Sequence, residues 1–234
     1  MRTHFPTPRP AALVLFCRRP LPGEGKRRLA RTLGDTRAFA VEKALLRCAL
    51  EDVADWPGQL VLSPARAADA PWAAQQVSRA ARVLPQPEGN LGERIAAVDV
   101  LVRADGCERV LFIGSDAPSL RPAHLVAAAD ALDGSDVVLM PSADGGVTLM
   151  GSRVRWPDLA GLPWSEAGLG EALAQRCRGA GLGVALLEGS YDVDEPADCL
   201  LAIERLAHDE RPARRRLHAL LIDLALPVQQ AACP

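Results

Sequence analysis

The chain has 234 residues, of which 49% are hydrophobic and 24% are charged, and its formal net charge at pH 7 is −2. This length and balance are typical of one globular domain with a full-sized core, and they exclude a disordered chain. The near-neutral charge excludes a broad basic surface for nucleic acid, so small-molecule partners are expected.

The first ten residues, MRTHFPTPRP, are rich in proline and predict a flexible tail over residues 1–10. The apolar run that follows, from Ala11 to Cys17, is too short for a membrane span and does not have the flanks of a signal peptide. The sequence therefore predicts a cytoplasmic protein with no membrane span.

Short runs of Val, Leu and Ile alternate with longer segments of helical period, which predicts a mainly parallel sheet with helices on both faces. The predicted strands are Ala12–Cys17, Gln59–Ser63, Ala81–Leu84, Arg109–Gly114, Asp136–Met140, Val147–Gly151 and Gly183–Leu187. Helices are predicted near residues 36–55, 71–80, 91–105, 122–132, 166–180, 196–206 and 212–226. The segment PSADGG at 141–146 is too short for a helix, so it predicts a hairpin and a mixed sheet.

The end of the chain, residues 208–234, combines an arginine cluster with an apolar helix. We expect this extension to dock on the rest of the domain, residues 11–207, or on a second copy in a homodimer. For the arginines, a solvated basic face is favoured over nucleic-acid binding.

A basic loop follows the first strand, where ligands of open α/β sheets bind. It contains Gly23 and Gly25, followed by Lys26 and Arg28. Glycines let backbone N–H groups approach a phosphate, and basic side chains neutralise its charge. The spacing is not that of a Walker A loop. Phosphate binding and simple solvation of the loop are equal alternatives on this evidence.

Asp116 follows the fourth predicted strand in the segment GSDAPSL. A carboxylate at this position can hold Mg²⁺ or Mn²⁺ together with phosphate oxygens, because hard cations prefer oxygen ligands. The alternative is that Asp116 caps the loop before the helix at Pro122.

Two more acids, Asp192 and Asp194, lie before a helix that begins near Pro196. In an extended stretch both side chains point the same way, so one can complete the metal site while the other holds substrate. Capping of the following helix is an equal alternative. A weaker signal is the segment that runs through a glycine turn into the helix predicted at 91–105 and includes Gly92 and Arg94. The backbone amides of this segment can meet a base or phosphate.

Six segments together resemble the glycosyltransferase-A-like family, also called selenodomain-associated transferases. They are PGEGKRRLA, NLGERI, LFIGSDAPSL, DVVLMPSADGGVTLMG, LPWSEAGLGEAL and YDVDEPADCL. The resemblance runs from about Leu13 to Leu206. Relatives include guanylyltransferases, sugar nucleotidyltransferases and GT-A glycosyltransferases. It implies an α/β, Rossmann-like GT-A core, a nucleotide or nucleotide-sugar donor, a small-molecule acceptor and a divalent metal.

The resemblance also assigns catalytic and metal-binding residues. Lys26 and Arg28 match the K-T-R pair of the family, although Arg27 stands where the family has Thr. Asp116 matches a metal-binding aspartate and is expected to serve catalysis. Asp192 and Asp194 match the Y-D-V-D motif, of which Asp194 is the expected second metal ligand and Asp192 a substrate ligand.

The remaining matches concern the substrate walls. Asp144, Gly145 and Gly146 fall in the family's D-D-G-G-Y hairpin, in which this chain has Ala143 and Val147 instead of an acid and an aromatic ring. A further match, the P-W-S segment with Trp164 and Ser165, is expected on the acceptor side.

Three functions compete on this basis. Glycosyl transfer from a nucleotide sugar is the leading hypothesis, by analogy alone. Nucleotidyl transfer of the guanylyl or cytidylyl type, to a small phosphorylated or sugar substrate, is compatible with the same lysine and arginines. The departures at Ala143 and Val147 support a non-catalytic nucleotide-binding module, whereas the retained aspartates argue against one.

Overall fold

The computed structural model describes residues 11–230, with the side chains of residues 11–224. The predicted flexible tail at residues 1–10 lies outside the described residues. Across residues 11–230, no helix is both long and apolar enough to cross a membrane.

Seven strands and eight α-helices make up the described chain. The strands are β1 (Ala12–Cys17), β2 (Leu60–Pro64), β3 (Arg82–Val83), β4 (Val110–Ile113), β5 (Val137–Pro141), β6 (Val147–Ser152) and β7 (Val184–Leu186). The helices are α1 (Arg27–Leu33), α2 (Asp35–Val53), α3 (Ala70–Ala74), α4 (Leu91–Ala104), α5 (Pro122–Gly134), α6 (Leu169–Gly179), α7 (Pro196–Leu206) and α8 (Pro212–Gln230). Every predicted strand and helix is present, with small differences at most ends, except that the helix predicted near residues 71–80 ends at Ala74.

The strands form one sheet in the order β3-β2-β1-β4-β6-β5-β7. Strand β6 pairs antiparallel with β4 and with β5, and the other pairs are parallel. The short connection at 142–146 does reverse the chain between β5 and β6. The predicted fold class, a mixed and mainly parallel α/β sheet, is confirmed.

Alternate residues of the central strands face two hydrophobic cores, as expected for a sheet covered on both sides. On one face Leu13 and Leu15 pack with residues of α2 and α5. On the other face Ala12 and Val14 pack with residues of α4 and α6. Both faces of β1 are therefore buried. The ends of the central strands form rigid supports for the loops that follow them.

Helix α1 is the main element that the sequence did not predict. The basic stretch from Arg27 is helical in the structure, and it begins directly after Lys26. The helix has only seven residues and a single fully buried side chain, Leu29, so it carries little hydrophobic period. Its position after β1 is set by packing against α2 and α7.

The C-terminal helix α8 packs on α2 and α7 of its own chain. The prediction of a solvated basic face is wrong for Arg214, which is fully buried. The neighbouring Arg211 is also mostly buried, with 23% of its side chain exposed. Arg215 and Arg216 are exposed as predicted. Burial of an arginine needs acidic and carbonyl partners from distant elements, which sequence reasoning could not locate. The domain boundary at residue 207 and the homodimer stay predictions.

Candidate functional site

A cleft of about 620 Å³ opens at the carboxyl ends of β1 and β4. Most of the residues that the sequence singled out line it: Lys26, Arg28, Arg94, Asp116, Asp144, Gly146, Trp164, Ser165, Asp192 and Asp194. The folded chain thus brings together segments that are up to 168 residues apart in the sequence. This is the place where open α/β sheets bind ligands.

Lys26 lies at the centre of the charged part of the cleft. Its Nζ is 2.5 Å from Asp194 Oδ1 and 3.3 Å from Asp116 Oδ2. The lysine side chain is 11% exposed, whereas Asp116 and Asp194 are 41% and 45% exposed. Because both carboxylates contact one nitrogen atom, they converge on a single point that a cation can occupy.

The charge of Lys26 depends on these two partners. Burial lowers the pKa of Lys26, but the nearby carboxylates of Asp116 and Asp194 outweigh burial and leave the pKa above its usual value. The ammonium group is therefore charged at neutral pH and neutralises part of the acidic surface.

A backbone contact explains why Asp116 and Asp194 meet. The amide of Val193 donates a 3.0 Å hydrogen bond to the carbonyl of Asp116, which fastens the segment before α7 to the loop after β4. The side chains of Glu195 and Asp198 form the capping box of α7. Helix capping therefore occupies those two acids and leaves the carboxylate of Asp194 to Lys26.

Asp192 lies at the back of the same acidic surface. Its Oδ1 accepts a 2.7 Å hydrogen bond from the hydroxyl of Ser142 in the β5–β6 hairpin. Burial raises the pKa of Asp192 to about 6; the Ser142 hydrogen bond lowers it, and the charges of Asp116, Asp144 and Asp194 add to the rise. We call the four aspartates, Asp116, Asp144, Asp192 and Asp194, together with Lys26, the acidic end of the cleft.

Two residues in the cleft have an unusual backbone conformation. Lys26 has a φ of 43° and Ser165 a φ of 69°, and these are the positive-φ residues other than glycine in the described chain. Side chains rarely adopt this left-handed conformation without support from the surrounding structure. Both outliers fall on predicted site residues, which is the pattern that functional sites often show.

Four predicted glycines lie outside the cleft lining: Gly23 lines a smaller cavity beside it, and Gly25, Gly92 and Gly145 line neither. The Cα of Gly25 faces the carboxylate of Glu42, which would have to move for a side chain to fit, and that of Gly92 faces the backbone carbonyl of Leu159, which leaves no room for one. At Gly145, φ is +90° and an added Cβ would lie 2.7 Å from the amide nitrogen of Gly168. The geometry at these three sites is one of close packing, and their proposed ligand contacts stay predictions.

The other predicted residues have contacts within the chain. Arg28 pairs with Glu195 at 3.4 Å on the surface, where both side chains are more than half exposed. Trp164 donates to the carbonyl of Leu159 at 2.8 Å, which fixes its ring at the edge of the cleft. The Asp144 carboxylate accepts a 2.9 Å hydrogen bond from the amide of Gly146 and so shapes the hairpin.

A neighbouring cavity of about 460 Å³ contains residues that the sequence analysis missed. It is lined by Arg18, Arg27, Arg66 and the predicted Arg94, with Glu24 as the acidic residue and Gly23 at the edge. We call it the arginine cavity. Arg18 directly follows β1 and Arg66 lies two residues after the end of β2, and that position after a strand was the sequence signal available for both.

A second group of residues that the sequence analysis missed lies on α8 and contacts the loop that contains Asp116. Buried Arg214 donates to the carbonyls of Pro118, at 3.2 Å, and Leu120, at 3.0 Å. It also pairs with the buried carboxylate of Asp52. Arg211 donates to the carbonyl of Leu120 and to Asp52, each at 2.8 Å. Helix α8 therefore holds the loop that presents Asp116.

The acidic end offers a divalent cation only part of a coordination shell. Among residues 11–224, no group of three or more His, Cys, Asp or Glu side chains forms a metal site. The converging carboxylates of Asp116 and Asp194 are nevertheless hard oxygen donors of the kind that Mg²⁺ uses when phosphate oxygens and water complete the shell. The residues present fit a cation that is shared with a bound phosphate.

Comparisons with known proteins concern the family and the fold of the chain. Residues 45–166 match the model of the DUF2064 family, described as an uncharacterized protein conserved in bacteria. This segment contains Asp116 and the hairpin, and it ends before Asp192 and Asp194. No curated protein matches the chain.

Among solved structures, the chain is similar to a protein of Desulfovibrio desulfuricans G20 that is provisionally named a nucleotide-diphospho-sugar transferase. The identity is 26% and the TM-score 0.81, over 94% of this chain and 97% of the other. A 4-diphosphocytidyl-2C-methyl-D-erythritol synthase from Anaerococcus prevotii has 12% identity and a TM-score of 0.56, over 85% and 97% of the two chains.

A nucleotidyl transferase from Methanothermobacter has 19% identity and a TM-score of 0.52, over 82% of this chain and 95% of the other. The likeness to it and to the Anaerococcus enzyme is one of fold. Together with the family match, these findings confirm the resemblance to GT-A-like transferases that the sequence motifs predicted.

Proposed function

The chain belongs to the DUF2064 family, and from that premise we propose that it is a metal-dependent transferase that takes a group from a nucleotide-activated donor. One observation carries the proposal: Asp116 and Asp194 converge on Lys26 at the carboxyl ends of the sheet. The name of the Desulfovibrio relative favours glycosyl transfer from a nucleotide sugar. The positive charge of the arginine cavity favours the second candidate, nucleotidyl transfer.

In this proposal Asp116 and Asp194 hold Mg²⁺ or Mn²⁺. A divalent cation bound there would neutralise the phosphates of the donor and polarise the bond that breaks. Lys26 supplies a positive charge within reach of the same phosphates, because its ammonium already lies between the two carboxylates. A fixed charge in a partly buried cleft stabilises developing negative charge better than a solvated one.

The remaining residues position the two substrates. Asp192 is fixed by Ser142, so its free oxygen can accept a hydrogen bond from a substrate hydroxyl. Trp164 and Ser165 line the same cleft and are assigned to the acceptor. A non-catalytic module would keep nucleotide binding without turnover, and it therefore remains an outcome of the tests.

The first test is a thermal-shift screen of nucleoside diphosphates and nucleotide sugars, with Mg²⁺ or Mn²⁺ and with a chelator. We expect larger stabilisation with the metal, by about 2.7 kcal/mol when the ligand is present at about 100 times its Kd. Equal shifts with metal and chelator would contradict the assigned site. A protein with Asp133→Asn, which removes an exposed carboxylate at the end of α5, is the matched control for loss of a carboxylate and should keep the metal-dependent shift.

The second test measures turnover with the ligands that bind. Release of a nucleoside diphosphate from a nucleotide sugar indicates glycosyl transfer, and release of pyrophosphate from a nucleoside triphosphate indicates nucleotidyl transfer. Metal-dependent binding with neither product, across a panel of sugar and phosphorylated acceptors, would favour the non-catalytic module.

A further inference from the structure

The arginine cavity carries an excess of positive charge. Four arginines line it, and the acidic lining residue is Glu24, which pairs with Arg66 at 2.5 Å. Like charges gathered on one concave surface repel each other, and a bound anion relieves that repulsion. The guanidinium groups are planar donors that match the oxygens of a phosphate.

Contacts within the chain also orient two other arginines of the cavity, Arg94 and Arg27. Arg94 donates to Gln86 Oε1 at 3.2 Å and to the carbonyl of Asn90 at 3.3 Å. Arg27 donates to the carbonyl of Gly23 at 2.8 Å. Because a guanidinium has five N–H donors, each of these side chains keeps donors for a ligand after its internal hydrogen bonds are made.

The cavity is continuous with the main cleft. Arg18, Arg27 and Arg94 line both the cleft and the cavity. The loops that follow β1 and β2 are joined by a backbone hydrogen bond, in which the amide of Ala65 donates to the carbonyl of Cys17 at 2.8 Å. One extended ligand can therefore reach from the acidic end into the arginine cavity.

Resting on the proposed function, we propose that the arginine cavity binds the terminal phosphates of a nucleoside triphosphate, which makes a nucleoside triphosphate the donor and nucleotidyl transfer the reaction. A triphosphate carries on the order of two more negative charges than a sugar-linked diphosphate, because its terminal phosphate is substituted at one oxygen only and ionises twice near neutral pH. A cation at the acidic end neutralises the charge of a diphosphate, whereas the additional phosphate needs a second positive surface.

The bond changes assign each end of the cleft a role. An oxygen of the acceptor bonds to the α-phosphorus, and the bond from that phosphorus to the oxygen of the β-phosphate breaks. Pyrophosphate leaves with the electron pair of the broken bond, and the proton of the acceptor hydroxyl passes to solvent. Arginines that already bind the β- and γ-phosphates stabilise the charge that develops on the leaving group.

The test is equilibrium binding of ATP, GTP, CTP and UTP and of their diphosphates, in the presence of Mg²⁺, to the wild-type chain and to variants. We expect at least one triphosphate to bind roughly tenfold more tightly than its diphosphate. Arg66→Ala, at the arginine that lines only this cavity, should weaken triphosphate binding by roughly fivefold to tenfold, as expected for a lost charged hydrogen bond. Diphosphate binding should change by less than about twofold.

Two controls sharpen the result. Glu24→Gln removes the carboxylate from the cavity lining and should strengthen triphosphate binding, which loss of folding cannot imitate. Arg178→Ala removes an exposed arginine of α6, far along the chain from the cavity lining, and should leave both affinities unchanged.

The possible failures are distinct. If diphosphates and nucleotide sugars bind with metal but no triphosphate is preferred, the arginine cavity is not a triphosphate site and the proposed function stands. If Arg66→Ala weakens diphosphate and triphosphate binding equally, the cavity holds the diphosphate, and the inference is overturned. If no nucleotide binds at all, both the inference and the proposed function fail.

Discussion

The acidic end and the arginine cavity belong to one continuous cleft, but they balance their charges in opposite ways. At the acidic end, the ammonium of Lys26 contacts two carboxylates of the same chain. In the arginine cavity, four guanidinium groups face a single carboxylate. The acidic end is partly neutralised by its own ion pairs, whereas the lining of the arginine cavity keeps an excess of positive charge. The difference teaches that the two ends should respond differently to mutation and to ligands.

The largest expected effect comes from the support beneath the acidic end. Arg214→Met should lower the free energy of unfolding by about 3–5 kcal/mol, because the buried carboxylate of Asp52 loses its closest cation. Urea denaturation measures this change. Arg215→Ala, at the exposed neighbour on the same helix, should stay within about 0.5 kcal/mol.

A milder variant separates stability from site geometry. Arg211→Gln leaves the contacts of Arg214 in place but removes a donor to the carbonyl of Leu120. We expect a folded protein whose metal-dependent nucleotide binding is weakened, with triphosphate contacts in the arginine cavity retained. Unchanged metal-dependent binding in a folded Arg211→Gln protein would show that α8 does not position Asp116.

The next effect concerns the two carboxylates of the acidic end. Asp116→Asn and Asp194→Asn should each remove most of the metal-dependent stabilisation by nucleotide, which is about 2.7 kcal/mol at about 100 times the Kd. The double variant should cost little more than the worse single one, because residues that act as a unit are not additive. Additive losses, measured by thermal shift, would assign the two aspartates independent roles.

Removal of Lys26 tests internal charge balance directly. Lys26→Ala should raise the affinity for Mn²⁺ without nucleotide by roughly fivefold, because about 1 kcal/mol of ion pairing no longer competes for the carboxylates. The same variant should weaken binding of a nucleoside diphosphate more than that of the bare nucleoside. Lys43→Ala, at an exposed position on α2, is the control. An equal loss of affinity for the diphosphate and for the nucleoside would contradict a contact between Lys26 and the phosphates.

The smallest effect is expected at Arg28. Its pair with Glu195 is exposed on both sides, so Arg28→Ala should change the free energy of unfolding by less than about 0.5 kcal/mol. If Arg28 contacts phosphate as the motif predicts, binding of a nucleoside diphosphate should still fall severalfold. Unchanged binding would leave Lys26 and the arginine cavity as the cationic groups of the cleft.

Much of the fold follows from local sequence patterns. The run from Ala12 to Cys17 is apolar on both faces, which is typical of a central parallel strand and is what the structure contains. The six-residue connection at 141–146 indicated the reversal between β5 and β6. Helix α1 could not be predicted, since one buried leucine gives no period and its form depends on packing with α2 and α7.

Three aspartates of the acidic end, Asp116, Asp192 and Asp194, were predictable because they lie in loops that precede a helix, whereas Asp144 came from the resemblance of the β5–β6 hairpin. Their roles were not, because capping and metal binding use the same side chains at the same positions. The structure shows which acids cap the helix. Glu195 and Asp198 cap α7, whereas the carboxylate of Asp194 contacts Lys26. Metal binding by Asp116 and Asp194 stays a prediction.

The sequence by itself determined the succession of strands and helices along the chain apart from α1, the mixed sheet and the chemical types at the strand ends, since these depend on periodicity and turn residues that act over a few positions. Only the tertiary structure decided which charges meet. It placed Lys26 between two aspartates, collected Arg18, Arg27, Arg66 and Arg94 around one cavity, and buried Arg214 beneath the Asp116 loop. Such meetings depend on strand order and helix packing, because charges interact through space and carry no periodic signal along the chain.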